Sequence, residues 1–168
     1  MADDVSIRPA DAEDVEKFIE DKHLRRRFLD HLHHQRGILL FAFRGDVFLG
    51  HVFLRRASAE EPVLRHGLYK VPLLQHLKVM DEHQRSGVGG RLIRAAERHL
   101  RSLGHRSVAL GVHPDNDVAI RLYRRLSFRR WHKHTLTTFR ETVLDDDSTV
   151  REEELCLVFV KRLNKGRR

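Results

Sequence analysis

One short stretch limits what this chain can fold into more than any other: "HQRSGVGG", residues 83–90, set between "LLQHLKVM" and "RLIRAAERHLRSL". The first flank reads as a strand and the second as a helix. Leu92, Ile93, Ala96, Leu100 and Leu103 repeat at helical spacing as a buried stripe, while Arg91, Arg94, Arg98 and Arg101 form the opposite, solvated face. Gly104 then closes the helix as a C-terminal cap. A glycine turn that joins a strand to a helix points several backbone N–H groups and the positive helix end at one place, and that place suits an anion.

The rest of the chain supplies the layers such a joint needs. "VSIRPA" alternates like a short strand, and "DAEDVEKFIEDK" predicts a helix with an acidic first turn and Val15, Phe18 and Ile19 on one face. A second helical run extends from Leu24 to Gln35 and closes at Gly37; "ILLFAFRGDVFLGHVFLRRA" then predicts a hairpin about "RGD". The polar segment "SAEEPVLRHGLYKVP", with two prolines, predicts a long loop. After the glycine turn and its helix come a strand "SVALGV", a helix "DNDVAIRLYRRL", and two strands, "FRRWHKHTLTTF" and "ELCLVFVKRL", joined by the acidic linker "RETVLDDDSTVREEE". The length fits one domain over 1–163, with a basic tail, 164–168, expected to be disordered.

Composition narrows the partners. The net charge is +8, but the 32 basic residues are spread along the whole chain, which argues against a dedicated nucleic-acid surface and fits a small anionic ligand equally well. The densest histidine clusters, "HLHHQ" and "WHKH", lack the helical spacing and carboxylate of a catalytic zinc site, so no metal is expected. The single cysteine, Cys156, reads as a packed thiol in a strand. No apolar run approaches the roughly 20 residues of a membrane span, and the amino terminus lacks a signal-peptide pattern; a cytoplasmic protein is expected.

Two common phosphate loops fail on particular residues. A Walker loop needs Gly-Lys-Ser/Thr, and here Gly90 is followed by Arg91 and Leu92. A dinucleotide fingerprint needs a third glycine where Leu92 stands. What remains is Q-x-x-G-x-G: Gln84, Gly87 and Gly89. Together with Asn116, Ala119, Tyr123 and Phe128 in "NDVAIRLYRRLSF", the sequence resembles the GNAT superfamily of acyl-CoA-dependent N-acetyltransferases. The order of elements agrees over nearly the whole chain, and the specific motifs occupy about Leu77 to Phe128.

The resemblance implies an α/β (α+β) fold with a mixed, mostly antiparallel twisted sheet of about seven strands flanked by about four helices. It also implies acetyl-CoA as cosubstrate. Its pyrophosphate would lie on the backbone amides of Arg85, Ser86, Gly87, Val88, Gly89 and Gly90, with Gln84 at the start of the turn. The pantetheine arm would follow the fourth strand at Leu77 and Val79, and Asn116 would cap the next helix, contact the pantetheine, or both.

The chemistry then asks for an acid, a base and an oxyanion donor. By resemblance the acid is Tyr123, although helical spacing also fits a core tyrosine there. Some members carry a glutamate in the fifth strand, and the matching position here is Gly111. His76, His113, Asp81 and His66 are the replacements chemistry allows for the base. The amide near Val79 or Met80 is the implied oxyanion donor. The acceptor is read first as a primary amine on a small molecule, with a protein amino terminus or lysine as the alternative, or a non-catalytic acyl-CoA-binding role on the same fold. The carboxylates of the acidic linker could draw a cationic amine, and exposed edges in the C-terminal hairpin fit a homodimer.

Overall fold

The computed structural model describes residues 4–57, 61–131 and 135–164. Among these it has eight strands and five α-helices in a mixed α/β arrangement whose sheet is mostly antiparallel. The basic tail beyond 164, and most of "WHKH", lie outside the described residues. Contacts divide the chain into two compact units, residues 1–108 with 162–168, and residues 109–161.

The first unit is built on β1 (Val5–Pro9), β2 (Gly37–Arg44), β3 (Val47–Arg55) and β4 (Leu73–Val79), each antiparallel to the next. The β2–β3 hairpin turns at Gly45, whose φ of 59° lies in the left-handed region open to glycine. Helices α1 (Ala12–Phe18) and α2 (Lys22–His33) start at caps that the sequence supplies. Asp11 and Asp14 form a reciprocal capping box, and Asp21 accepts the amides of His23 and Leu24. The apolar faces of both helices close an aromatic core: Phe28, Phe41 and Phe53 are fully buried, and Phe18 packs edge-on against Phe43 at 5.2 Å.

Helix α4 (Val88–Ser102) buries Leu92, Ile93, Ala96 and Leu100 completely, each large side chain contributing about 1.5–3 kcal/mol. Leu103 is not part of that stripe. It is 44% exposed because the helix ends beneath it in a Schellman turn, with the amides of Gly104 and His105 donated to the carbonyls of Arg101 and Leu100. Gly104 sits at φ 85°. Gly104→Ala is therefore expected to cost about 1–2 kcal/mol through backbone strain alone, visible as a lower urea midpoint with an unchanged slope.

The segment expected to be a long loop instead contains α3 (Pro62–Gly67), with proline in its first turn and Leu64 buried. Pro62 needs no amide hydrogen at that position and Gly67 ends the run, signals that the polar composition obscured.

The second unit holds the rest of β5 (Ser107–Val112), then α5 (Asp117–Arg125), β6 (Arg129–Arg130), β7 (Leu136–Val143) and β8 (Thr149–Arg162). Strand β8 is antiparallel to both β6 and β7. The acidic linker is thus mostly strand: Arg140 to Val143 continue β7, and Thr149 to Glu154 begin β8. Only residues 144–148 turn, with Asp147 at φ 63°. The carboxylates of Glu152, Glu153 and Glu154 are tolerated in a strand because this part of the hairpin stands exposed.

Candidate active site

Strand β4 does not run straight into the glycine turn. Gln75 pairs with Phe53 and Lys78 with His51, so His76 and Leu77 together oppose Val52 in a β-bulge. His76 takes the left-handed conformation there, φ 52°, a position usually given to glycine. Its ring packs edge-on to Phe28 at 5.5 Å, and so does the ring of His51 at 5.2 Å. His51 is 3% exposed. Burial lowers both histidines to a pKa of about 4, so both are neutral at physiological pH.

Past the bulge, the amide of Met80 is donated to Leu49 O at 2.8 Å. In an antiparallel ladder that bond makes Gly50 and Val79 a non-hydrogen-bonded pair, so the amide and carbonyl of Val79 turn away from β3. Met80 is thereby spoken for as a donor, and the amide of Val79 faces the side of β4 away from β3. The carbonyl of Val79 accepts Nε2 of Gln84 at 3.2 Å, and the same nitrogen reaches Asp81 Oδ1 at 3.2 Å. Gln84 thus ties the start of the turn to the end of the strand. Asp81, which opens the 3₁₀ turn Asp81–His83, is held in that clamp.

The turn itself is open. Ser86 Oγ donates to the carbonyl of His83, and Arg85 and Gly87 both have positive φ, 61° and 82°. Gly87 is the N-cap of α4, with no side-chain cap, and the first helical bond is Arg91 N to Gly87 O at 3.1 Å. The amides of Arg85, Ser86, Gly87, Val88, Gly89 and Gly90 have no protein acceptor among the described residues. A capped helix would satisfy two or three of these with a side chain. Here six donors and the positive helix end are left for an anion.

In the second unit, Asn116 caps α5 by accepting the amide of Ala119 at 3.2 Å, leaving its Nδ2 for another partner. Tyr123 is 8% exposed, its ring 6.0 Å from Phe128, and burial pushes its phenol pKa up. His113 lies just past β5, and its Nδ1 accepts the amide of Asp115 at 3.1 Å. His66 is exposed near the end of α3 in the first unit. At Gly111, an added Cβ would come within 2.6 Å of Cys156 Sγ, so the half-buried thiol stands where a side chain from β5 would begin.

Sequence reasoning did not single out His51, which lies inside the apolar run "VFLGHVFL" and carries no motif signal. Nor did it find the bulge, since the residue at the left-handed position is a histidine. The "HLHHQ" cluster is dispersed by the fold: His31 stacks on Phe53 in the core at 4.7 Å, while His34 Nδ1 lies 2.9 Å from the Asp30 carbonyl. Among the described residues, no helix is long and apolar enough to cross a membrane.

Comparison with known proteins bears on the family and the fold. The profile of the acetyltransferase (GNAT) family matches residues 6–128. A mycothiol acetyltransferase of Saccharopolyspora erythraea is 48% identical over 48 residues, a match that covers 29% of this chain and 16% of that protein. The fold is shared with Arabidopsis thaliana NAA60 in complex with acetyl-CoA, at TM-score 0.70 and 19% identity over 96% of this chain and 100% of that one. It is shared too with the ribosomal-protein-S18-alanine N-acetyltransferase of Escherichia coli, at TM-score 0.68 and 15% identity over 96% of each chain. A third solved structure, yncA from Salmonella typhimurium with its cofactor acetyl-CoA, has TM-score 0.68 at 15% identity over 98% of this chain and 97% of that one. With a profile match that spans most of its length, this chain belongs to the acetyltransferase (GNAT) family.

Proposed function

We propose that this protein transfers the acetyl group of acetyl-CoA to a primary amine on a small molecule, by direct attack with both substrates bound. The observation that carries this reading is the run of six unpartnered amides from Arg85 to Gly90 at the uncapped start of α4. A pyrophosphate is a doubly charged group of the size those donors can surround. The outward-facing amide of Val79 continues the donor line along β4, where a pantetheine arm can add as a strand would, beside Leu77. Acetyl-CoA brings the acyl group as a thioester; the protein's own residues hold it, orient it and move protons.

Tyr123 is the acid in this scheme. Its burial keeps the phenol protonated well past neutral pH, which is the state a proton donor needs. Asn116 offers Nδ2 to the pantetheine while its Oδ1 holds the helix end. The amide of Val79, which faces away from β3, rather than that of Met80, which is donated to Leu49, serves the developing oxyanion.

Among the base candidates His76 is placed best, in the bulge of β4, but a group with a pKa of about 4 holds a proton too weakly to be its final acceptor. It acts as a relay to water. The charged groups acting on His76 include Arg27, and an amine bound beside it would have its own pKa lowered by the same cation. Less work is then left for a base. A small acceptor is favoured because the segment before β4 is folded as α3, with Leu64 in the core, instead of lying open as a peptide groove would require.

The test is release of free coenzyme A thiol with a panel of small amines set against lysine and amino-terminal peptides. Turnover with small amines supports the proposal, and turnover confined to peptides overturns the acceptor class. Tyr123→Phe is expected to lower kcat about 10²-fold with KM for acetyl-CoA within twofold, since the ring and its packing are kept while the proton is lost. Unchanged turnover would remove Tyr123 as the acid.

A further inference from the structure

The first unit gathers positive charge at the bulge of β4. The rings of His76 and His51 both pack on Phe28, so both histidines face α2. Lys78 stands directly opposite His51 in the ladder, and residues paired in that way project from the same face of a sheet. Its side chain therefore leaves β4 on the α2 side. Asp21, at the start of α2, agrees: its carboxylate is stabilised chiefly by the amide of Leu24, and Lys78 is among the cations that add to this. Arg27 comes from the helix itself, one residue before Phe28, and its charge is felt at His76.

Arg27 and Lys78 are both exposed, and neither has an ion pair among the described residues. The carboxylates of α2 are engaged elsewhere: Asp21 caps the helix, and Asp30 binds Arg36 at 2.6 Å. Burial is the main reason that His76 binds its proton weakly; Arg27 and the neighbouring histidines add to it, and no carboxylate offsets them. Lys78 acts on His51 in the same sense. Nδ1 of His51 is buried without a hydrogen-bond partner among the described residues, a state that a bound water or ligand group ordinarily relieves. Two cations and a neutral imidazole thus surround one stretch of β4, next to Leu77 and Val79.

A plain ammonium ion is repelled by such surroundings. An amine that also carries a carboxylate is not, because the carboxylate pairs with the guanidinium and the lysine while the ammonium beside them is pressed to lose its proton. We propose that the acceptor is an amino acid or a related amine bearing a carboxylate, held through that carboxylate by Arg27 and Lys78 beside His76. The inference rests on the acetyl-transfer reading and sharpens its acceptor class. The carboxylate takes no part in the bonds that change: the amine nitrogen bonds the acetyl carbon as the C–S bond breaks, one ammonium proton goes to solvent, and a second ends on the sulfur.

Initial rates of coenzyme A thiol release test this, with the common L-amino acids, β-alanine and γ-aminobutyrate each set against its primary amide. The amide's amine is the less basic of each pair, so a preference for the acid cannot come from intrinsic reactivity. The best acid is expected to exceed its amide at least about tenfold in kcat/KM. Arg27→Gln and Lys78→Gln should each raise KM for that acid about three- to tenfold, with kcat and the calorimetric affinity for acetyl-CoA within about twofold, because the carboxylate is held alike before and during reaction. Arg27→Glu with Lys78→Glu should turn the preference toward the amide, a gain that an unfolded variant cannot show. Wild-type turnover of the amides that equals or exceeds that of the acids overturns the inference and leaves acetyl transfer standing, as does an acid preference that both glutamine variants keep. Failure of every amine of either kind to release thiol removes the acetyl-transfer reading itself, and the inference falls with it.

Discussion

Gly89→Glu is expected to abolish acetyl-CoA binding while leaving the fold as stable as before, or slightly more so. Gly89 is the second residue of α4, inside the run of open amides. A glutamate there improves helix propensity and places negative charge at a positive helix end, each a gain of a few tenths to about 1 kcal/mol. The same carboxylate faces the pyrophosphate that the turn is proposed to hold. Two unit charges about 4 Å apart repel by about 4 kcal/mol at the effective dielectric of a protein surface, and that corresponds to a loss of roughly a thousandfold in affinity. Calorimetric titration with acetyl-CoA, with ATP and NADH as controls, measures it. If the wild type binds and the variant binds equally well, the turn is only a joint between strand and helix.

The second large effect concerns acid. His51 and His76 are neutral in the folded protein with pKa values of about 4, while an unfolded histidine titrates near 6.5. The folded state therefore binds fewer protons than the unfolded one across that window. Stability from this source is complete above pH 6.5 and is lost as pH falls toward 4. At pH 5 the loss is about 2 kcal/mol for each histidine, roughly 4 for the pair, a large part of a typical domain's total. His31 shifts in the same direction, whereas Asp14, lowered to about 2 chiefly by its hydrogen bond to Arg8, keeps its charge throughout the window. Urea melts at pH 7.5 and 5.0 are expected to show the drop. His51→Phe should recover about half of it, and a flat profile in the wild type would mean that these rings reach solvent.

How much of this was legible beforehand depended on whether the signal was local. The strand, glycine turn and α4 announce themselves within 30 residues, because glycine spacing, apolar period and the Gly104 stop agree. The hairpin about Gly45 and the cap at Asn116 are equally local. Hidden features were those set by contacts distant in sequence. The bulge at His76 exists because β3 and β4 pair out of step, and a histidine in left-handed conformation gives no warning of it. The acidic stretch read as a linker because charge was weighed over pattern. Yet Thr142, Val143, Thr149 and Val150 flank a turn with β-branched residues, which is a hairpin signal. The engagement of Met80's amide likewise depends on Leu49, some 30 residues earlier.

The sulfur beside Gly111 bears on how such a chain can change. A side chain at 111 has to begin where Cys156 Sγ now sits, so a glutamate introduced on β5 meets the thiol before it meets anything else. The two positions are therefore not independent under substitution. A lineage that gained the carboxylate would first have to shed or reorient the cysteine, which leaves only a small void, while the reverse order meets the thiol head-on. The present pair, glycine with cysteine, is a ratchet: moving away from it takes two steps in one sequence, and the first brings no benefit alone.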